Sequence, residues 1–326
     1  MIYFRTFRNG DPPALAALWN RGVPVLGTVR PLSGQGFDAQ VIEKPHFEAA
    51  GLIVAEQEGK VVGFAHAGFG PPEPIGAPHQ LCHEMGAIAM LVVEPGPENP
   101  ELERGLIDAS ERYLRRRGAS VLYAGGHFPL NPFYWGIYGG SEGAGILSGH
   151  EAFQRSVARA GYQPVSTTVL MEVDLSAPEV RDSRAPLIRR QARVEVTEDV
   201  MPGSWWEALA IDAYRPTLYQ LLSKADESVL ARATTWDMSA FGRGDGRGRL
   251  GLIDLEVDPA RRRRGFGRHL INEILRQARA EMIAVVAVQT PATNLPALAL
   301  FESLGFRPIE TGTLFRLPAE LTGRAT

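Results

Sequence analysis

Four arginines, Arg262, Arg263, Arg264 and Arg268, surround two glycines, Gly265 and Gly267, in one short stretch of this chain. The chemistry that this spacing offers is anion binding. The apolar run before it, residues 250–257, reads as a strand. The amphipathic segment Phe266–Ala280 reads as a helix. First-turn N–H groups of a helix have no intrahelical partner, and the helix dipole favours negative charge there. Gly265 and Gly267 carry no Cβ, so a phosphate can approach the backbone closely, and a side chain at either would take the space of its oxygens. The ligand this predicts is a pyrophosphate.

Asp254 and Glu256 alternate with Ile253, Leu255 and Val257 on the same strand. Period-two spacing puts both carboxylates on one face. A central strand is usually apolar on both faces. The two acids therefore read either as a general base and an acceptor contact, or as partners of nearby arginines. Gln289 is a further hydrogen-bonding candidate. Asn294 reads as a helix N-cap, and His269 as a surface or capping residue. Cys82, beside His83 and Glu84, is the only cysteine. It cannot pair within the chain, follows a proline-rich loop and reads as non-catalytic.

The elements that must position these residues fit a chain of 326 residues, enough for two ordinary domains. Hydrophobic content of 44% and charged content of 22% are those of a globular protein. A net charge of −3 gives no global field toward nucleic acid or an anionic membrane. No apolar stretch is long enough to span a bilayer, and the N-terminal residues lack a signal-like apolar block. These features predict a cytoplasmic protein with neither nucleic acid nor membrane as partner, and nothing in the spacing suggests a metal.

A second segment sharpens the reading. Val257, Pro259, Arg262, Gly265 and Gly267 are followed, one strand later, by Asn294, Ala297, Gly305 and Phe306. In this order and spacing the two sets resemble the acetyl-CoA signature of the GCN5-related N-acetyltransferase (GNAT) superfamily, from about Val194 onward. The resemblance implies acetyl-CoA as cosubstrate, held by Leu255, Val257, Arg262, Arg263, Arg264, Gly265, Phe266, Gly267, Arg268, Asn294 and Phe301. It also implies splayed central strands whose free backbone N–H, near residues 255–257, binds the thioester carbonyl. The acceptor would be an amine of a small molecule or a peptide. Asp254 and Glu256 are the candidates for base. Many members have a tyrosine acid where this chain has Phe301; Tyr214 or Tyr219, from helices expected over residues 205–222, would have to substitute. A homodimer is compatible with all of this. The rival reading is a non-catalytic acyl-CoA-binding or sensor protein.

The first half repeats the second in a worn form. Val93, Glu94 and Pro95 mirror Val257, Asp258 and Pro259, and Gly161 mirrors Gly305. Glutamates 98, 101 and 103 stand where the other copy has arginines, so weak or no CoA binding is expected there. The stretch from Val93 to Gly161 is also longer than its counterpart, through an aromatic and glycine-rich insertion at residues 131–145. That insertion reads either as a loop packed on a domain or as an acceptor-binding lid. The expected organisation is a degenerate domain at 1–175, a linker at 176–190 and an acetyl-CoA-binding domain at 191–326. The fold class is α/β (α+β): two tandem GNAT-like domains, each a mixed, mostly antiparallel sheet flanked by helices.

Overall fold

Apolar runs that alternate with amphipathic stripes give a sheet covered by helices. The computed structural model describes residues 1–72, 80–127, 129–180, 182–202, 204–211, 214–241 and 246–319. The N-terminal half runs β1 (Ile2–Thr6), α1 (Pro12–Gly22), α2 (Gly34–Phe37), β2 (Leu52–Gln57), β3 (Lys60–Phe69), β4 (Met85–Val93), α3 (Pro100–Arg116), β5 (Val121–Ala124), β6 (Ile146–Leu147), α4 (Glu151–Arg159) and β7 (Gln163–Asp174). The C-terminal half runs α5 (Ala185–Gln191), β8 (Ala192–Thr197), α6 (Trp205–Ile211), β9 (Thr217–Ser223), β10 (Val229–Asp237), β11 (Arg249–Val257), α7 (Phe266–Ala280), β12 (Val285–Pro291), α8 (Leu295–Ser303) and β13 (Arg307–Arg316). Among the described residues no helix is long and apolar enough to cross a membrane.

Local rules explain most elements. The β2–β3 hairpin turns on Glu58 and Gly59, both at positive φ, the geometry of a two-residue hairpin. Helix α7 buries Phe266, Leu270, Ile271, Ile274, Leu275 and Ala278, a stripe of helical period. Strand β4 is buried on both faces, as its unbroken apolar run requires. One expectation fails. The segment expected as helices over 205–222 is α6 followed by β9, because Pro216 ends helix formation and the β-branched and aromatic residues after it pair with β8 and β10. The polar linker holds a short helix, α5, with proline in its first turn.

All strands join one sheet in the order β1-β2-β3-β4-β5-β13-β7-β12-β11-β10-β9-β8, with β6 also paired to β13. The closing strands have changed places. By the repeat, β7 should border β5 and β13 should border β12; instead β13 pairs with β5, and β7 pairs with β12. β7 and β13 also pair antiparallel along most of their length. One core cluster lies around α3 and α4 and takes in Phe315 and Leu317 from the C-terminal end. A second lies around α7 and α8 and takes in Met171 and Val173 from β7. A third spans both halves, joining α1 and the 131–145 insertion to Trp236, Ile253 and Ala287.

Each half therefore needs a strand supplied by the other. Removing residues 307–326 deletes β13 and bares the edges of β5 and β7. We expect that truncated chain to lose cooperative thermal unfolding and to aggregate, as read by circular dichroism and gel filtration. A melting curve like that of the full chain would contradict the exchange.

Candidate functional site

Strands β11 and β12 pair in parallel only from Arg249–Val285 to Leu252–Val288. Beyond that, β11 runs on to Val257 and β12 to Pro291 without pairing, so a gap opens along residues 253–257 of β11. The cause is a bulge. The β10–β11 register shifts between Arg232 and Thr234, and Asp254 sits at φ +53°. A left-handed conformation costs a non-glycine residue roughly 1–2 kcal/mol, and such strain persists where surrounding structure enforces it. Both acids are exposed, while Leu255 and Val257 are half-buried against the core. Glu256 is exposed and pairs with Arg232 across the strands at 2.8 Å, the arginine-partner outcome. Asp254 stands exposed beside the gap.

β11 leads straight into the glycine-rich turn. Gly265, at φ +90°, is the N-cap of α7. The first intrahelical bond runs from His269 N to Gly265 O, 2.9 Å. The N–H groups of Phe266, Gly267 and Arg268 precede it and so have no helical acceptor. Arg262, Arg263 and Arg264 are exposed around them. A Cβ at Gly265 would meet only Ile188 and Arg184, at 3.5 and 3.6 Å. The constraint there is the dihedral angle rather than room. Gly267 is different: its Cβ would lie 3.0 Å from Val257 Cγ2 and 3.7 Å from Leu300 Cδ2. This glycine lets α7 pack closely on β11, and a side chain there would press on Val257. Arg268 reaches α8, where Nη1 donates to Ser303 Oγ at 2.7 Å.

Asn294 caps α8, accepting from Ala297 N at 3.3 Å. Phe301 is buried against Phe306, their ring centroids 5.4 Å apart. Leu255 and Val257 are half-buried against the same core. Tyr219 lies on β9, not on a helix, buried under α7 and separated from β11 by β10; burial pushes its hydroxyl up to about 12. Tyr214 packs on Trp236 and Phe241, at 5.3 and 5.0 Å, and accepts from Gln40 Nε2 of the N-terminal half. His269 is buried rather than exposed, with Nδ1 4.0 Å from Asp182 Oδ2.

In the N-terminal half the equivalent cradle is closed. Asn99 caps α3 by accepting from Leu102 N at 3.1 Å, and Glu101 and Glu103 occupy the first turn. Glu103 is buried and held by Arg155 at 2.6 Å and Arg159 at 3.3 Å.

The residue that sequence reasoning missed is Glu142. It belongs to the insertion of the N-terminal half, yet it lies at the end of β12. Gln289 Nε2 donates to Glu142 O at 2.6 Å and also to Gly139 O. Trp236 Nε1 donates to Ser141 O at 3.1 Å. These bonds, each worth about 1 kcal/mol net, pin the insertion to β10 and β12. The Glu142 carboxyl is pushed up to about 7, by burial first and then by the like charge of Asp254. A cavity of about 190 Å³ opens beside it, lined by His127, Trp135, Thr168 and Gln289 among others. An acid in a glycine-rich loop gave no local signal. Its importance comes from the long-range placement of that loop.

Comparison with known proteins bears on this arrangement. Residues 191–306 match the Acetyltransferase (GNAT) family. A mycothiol acetyltransferase of Acidothermus cellulolyticus is 39% identical over 84 residues, covering 26% of each chain. The ribosomal protein bS18-alanine N-acetyltransferase of Escherichia coli K12 is 36% identical over 55 residues, 17% of this chain and 37% of that one. The chain thus spans well under half the length of both relatives. A tandem GNAT protein from the clavulanic acid biosynthesis pathway superposes over 100% of both chains, with TM-score 0.64 and 15% identity. Residues 191–306 thus match the acetyltransferase (GNAT) family, and the chain as a whole has the fold of a tandem GNAT protein.

Proposed function

We propose that the C-terminal half binds acetyl-CoA and passes its acetyl group to an amine nitrogen. The observation that carries this is the continuity of gap and cradle. The unpaired edge of β11 at residues 253–257 runs through one short turn into the glycine-capped N-terminus of α7. A long, thin ligand with a pyrophosphate at one end matches that path. Its phosphates would take the first-turn N–H groups of α7 and the charges of Arg262, Arg263 and Arg264. Its thioester carbonyl would take a backbone N–H of Leu255 or Val257. Phe301 has no proton to give, and none is required: a thiol with a pKa of about 8.5 leaves as thiolate without a strong acid. The acetyltransferase names of the relatives support the reaction class.

Calorimetry should find one CoA site per chain, since the first turn of α3 is acidic and capped. Two equal sites would overturn the assignment to one half. Replacing Arg262, Arg263 and Arg264 together by alanine should weaken CoA at least tenfold, about 1.4 kcal/mol, with the melting temperature kept, because all three are exposed. Gly267→Val should do the reverse: it overpacks the α7–β11 contact and should cost about 1–3 kcal/mol of stability. Mass spectrometry of a panel of amines incubated with acetyl-CoA tests transfer itself. Tight CoA binding with no acetylated product would leave the sensor reading standing instead.

A further inference from the structure

We propose that Glu142, supplied by the N-terminal half, is the catalytic base for the acceptor, and that the acceptor is a small primary alkylamine that enters as its ammonium ion. This rests on the acetyl-transfer reading above and adds the substrate class and the residue that deprotonates it. Three features of the geometry point the same way. Glu142 and Asp254 come from different halves of the chain and put two carboxylates at one end of the β11–β12 gap, where a thioester would lie. The cavity that Glu142 lines, about 190 Å³, has room for an amine head with a few carbons. Its wall is mixed: Trp135 offers an aromatic face for the alkyl part, while Thr168 and Gln289 offer polar atoms. An ammonium ion is attracted both to paired carboxylates and to an aromatic face.

The proton balance closes without any further reactant. The ammonium gives one proton to the Glu142 carboxylate. The freed nitrogen lone pair forms the C–N bond to the acetyl carbon, the C–S bond breaks, and its electron pair leaves on sulfur. The second nitrogen proton neutralises the thiolate, and Glu142 returns its proton to solvent. One ammonium and one thioester become one amide, one thiol and one released proton. Among the described residues, Asp254 from β11 acts on Glu142 as a like charge, and His127 from the loop after β5 lines the same cavity. With a carboxyl near 7, Glu142 is ionised over the upper half of the physiological range and is a stronger base than an ordinary glutamate.

The same placement makes a prediction that needs no substrate. A carboxyl raised in the folded protein binds its proton more tightly there than in the unfolded chain. Its contribution to stability is present below the ordinary glutamate range and is lost as the pH rises through about 7. Glu142→Gln should therefore melt higher than wild type at pH 8, and the difference should vanish near pH 4.

The deciding experiment measures acetylation of a homologous series of alkylamines by wild type, Glu142→Gln and Glu142→Asp across pH 5.5–9, about the range where the base titrates. Acetyl-CoA affinity is followed by calorimetry. Wild type should show an acid limb in kcat/KM near neutrality. Glu142→Gln should lose that limb and about a hundredfold or more in rate, with acetyl-CoA affinity kept. Glu142→Asp, which keeps the carboxylate, should retain the limb. A merely structural role would instead lower stability or acetyl-CoA affinity and leave the limb in place. If wild type transfers acetyl groups and Glu142→Gln matches it, this inference falls while acetyl transfer stands. Acetylation confined to peptide N-termini would overturn the substrate class. Acetyl-CoA binding with no transfer by wild type would sink the acetyl-transfer reading, and this inference with it.

Discussion

The placement of β13 between β5 and β7 is the constraint on which the rest of the structure depends. It fuses the two half-sheets into one and leaves neither half with a complete sheet of its own. It also fixes where the insertion goes. The return leg of that loop ends in β6, which pairs with β13 at Ile146 and Leu147. A Cβ at Gly312 would lie 2.1 Å from Ala144 O, so the loop backbone rests directly on β13 at a point where only glycine fits. β13 borders β7, and β7 borders β12. Two strand widths, about 10 Å, then carry the loop from the N-terminal half to the end of β12, where Gln289 and Trp236 hold it.

The two halves share elements but divide the work. Both have a bulge that lets their fourth and fifth strands separate: at Asp254 in one, and between His66 and Ala67 opposite β4 in the other. The outcome differs because the next residues in each chain segment differ. After β11 come glycines and arginines, and the turn stays open. After β4 come glutamates and an asparagine cap, and the turn closes on itself. The N-terminal half also packs its own insertion inward. Tyr134 stacks on Trp19 with centroids 6.0 Å apart, and its hydroxyl lies 3.1 Å from His66 Nδ1. Burial of that imidazole pushes its pKa down to about 3, so it stays neutral. The half whose α3 begins with an acidic, capped turn also holds the loop that reaches the end of β12.

Much of this was legible in the sequence because it is local. The strand, turn and helix around Gly265, the cap at Asn294, the Glu58–Gly59 hairpin and the closed first turn of α3 each arise from residues within a few positions of one another. Readings that required knowledge of the partner were weaker. Tyr219 sits in an apolar run that suits a helix or a strand, and only pairing with β8 and β10 decides it. Asp254 and Glu256 are both exposed, as the pleat suggests, but the pairing of Glu256 with Arg232 depends on the neighbouring strand. Gly267 fits an anion motif and a helix-packing contact equally well until Val257 is seen opposite it. The loop at 131–145 reads as either a packed loop or an acceptor-binding lid; its aromatic residues are core, and Glu142 lines a cavity. The exchange of closing strands had no sequence signal, because β7 and β13 are near-equivalents in the repeat and either would satisfy the local pattern.

In the proposed transfer, the asymmetry between proton acceptor and proton donor arises from the reaction and the fold together. An amine that arrives as an ammonium ion must lose its proton before it can attack, so a base is required, whereas a thiolate can depart unaided near neutrality. The structure invests accordingly. Phe301 is buried without a hydroxyl, Tyr214 is engaged with Gln40, and Tyr219 is sealed under α7. Two carboxylates, by contrast, converge from opposite halves of the chain, and one is raised toward neutrality by burial and by the other's charge. Bringing like charges together opposes folding above neutral pH. The bonds from Gln289 to the backbone of Gly139 and Glu142 oppose that cost by holding the loop in place.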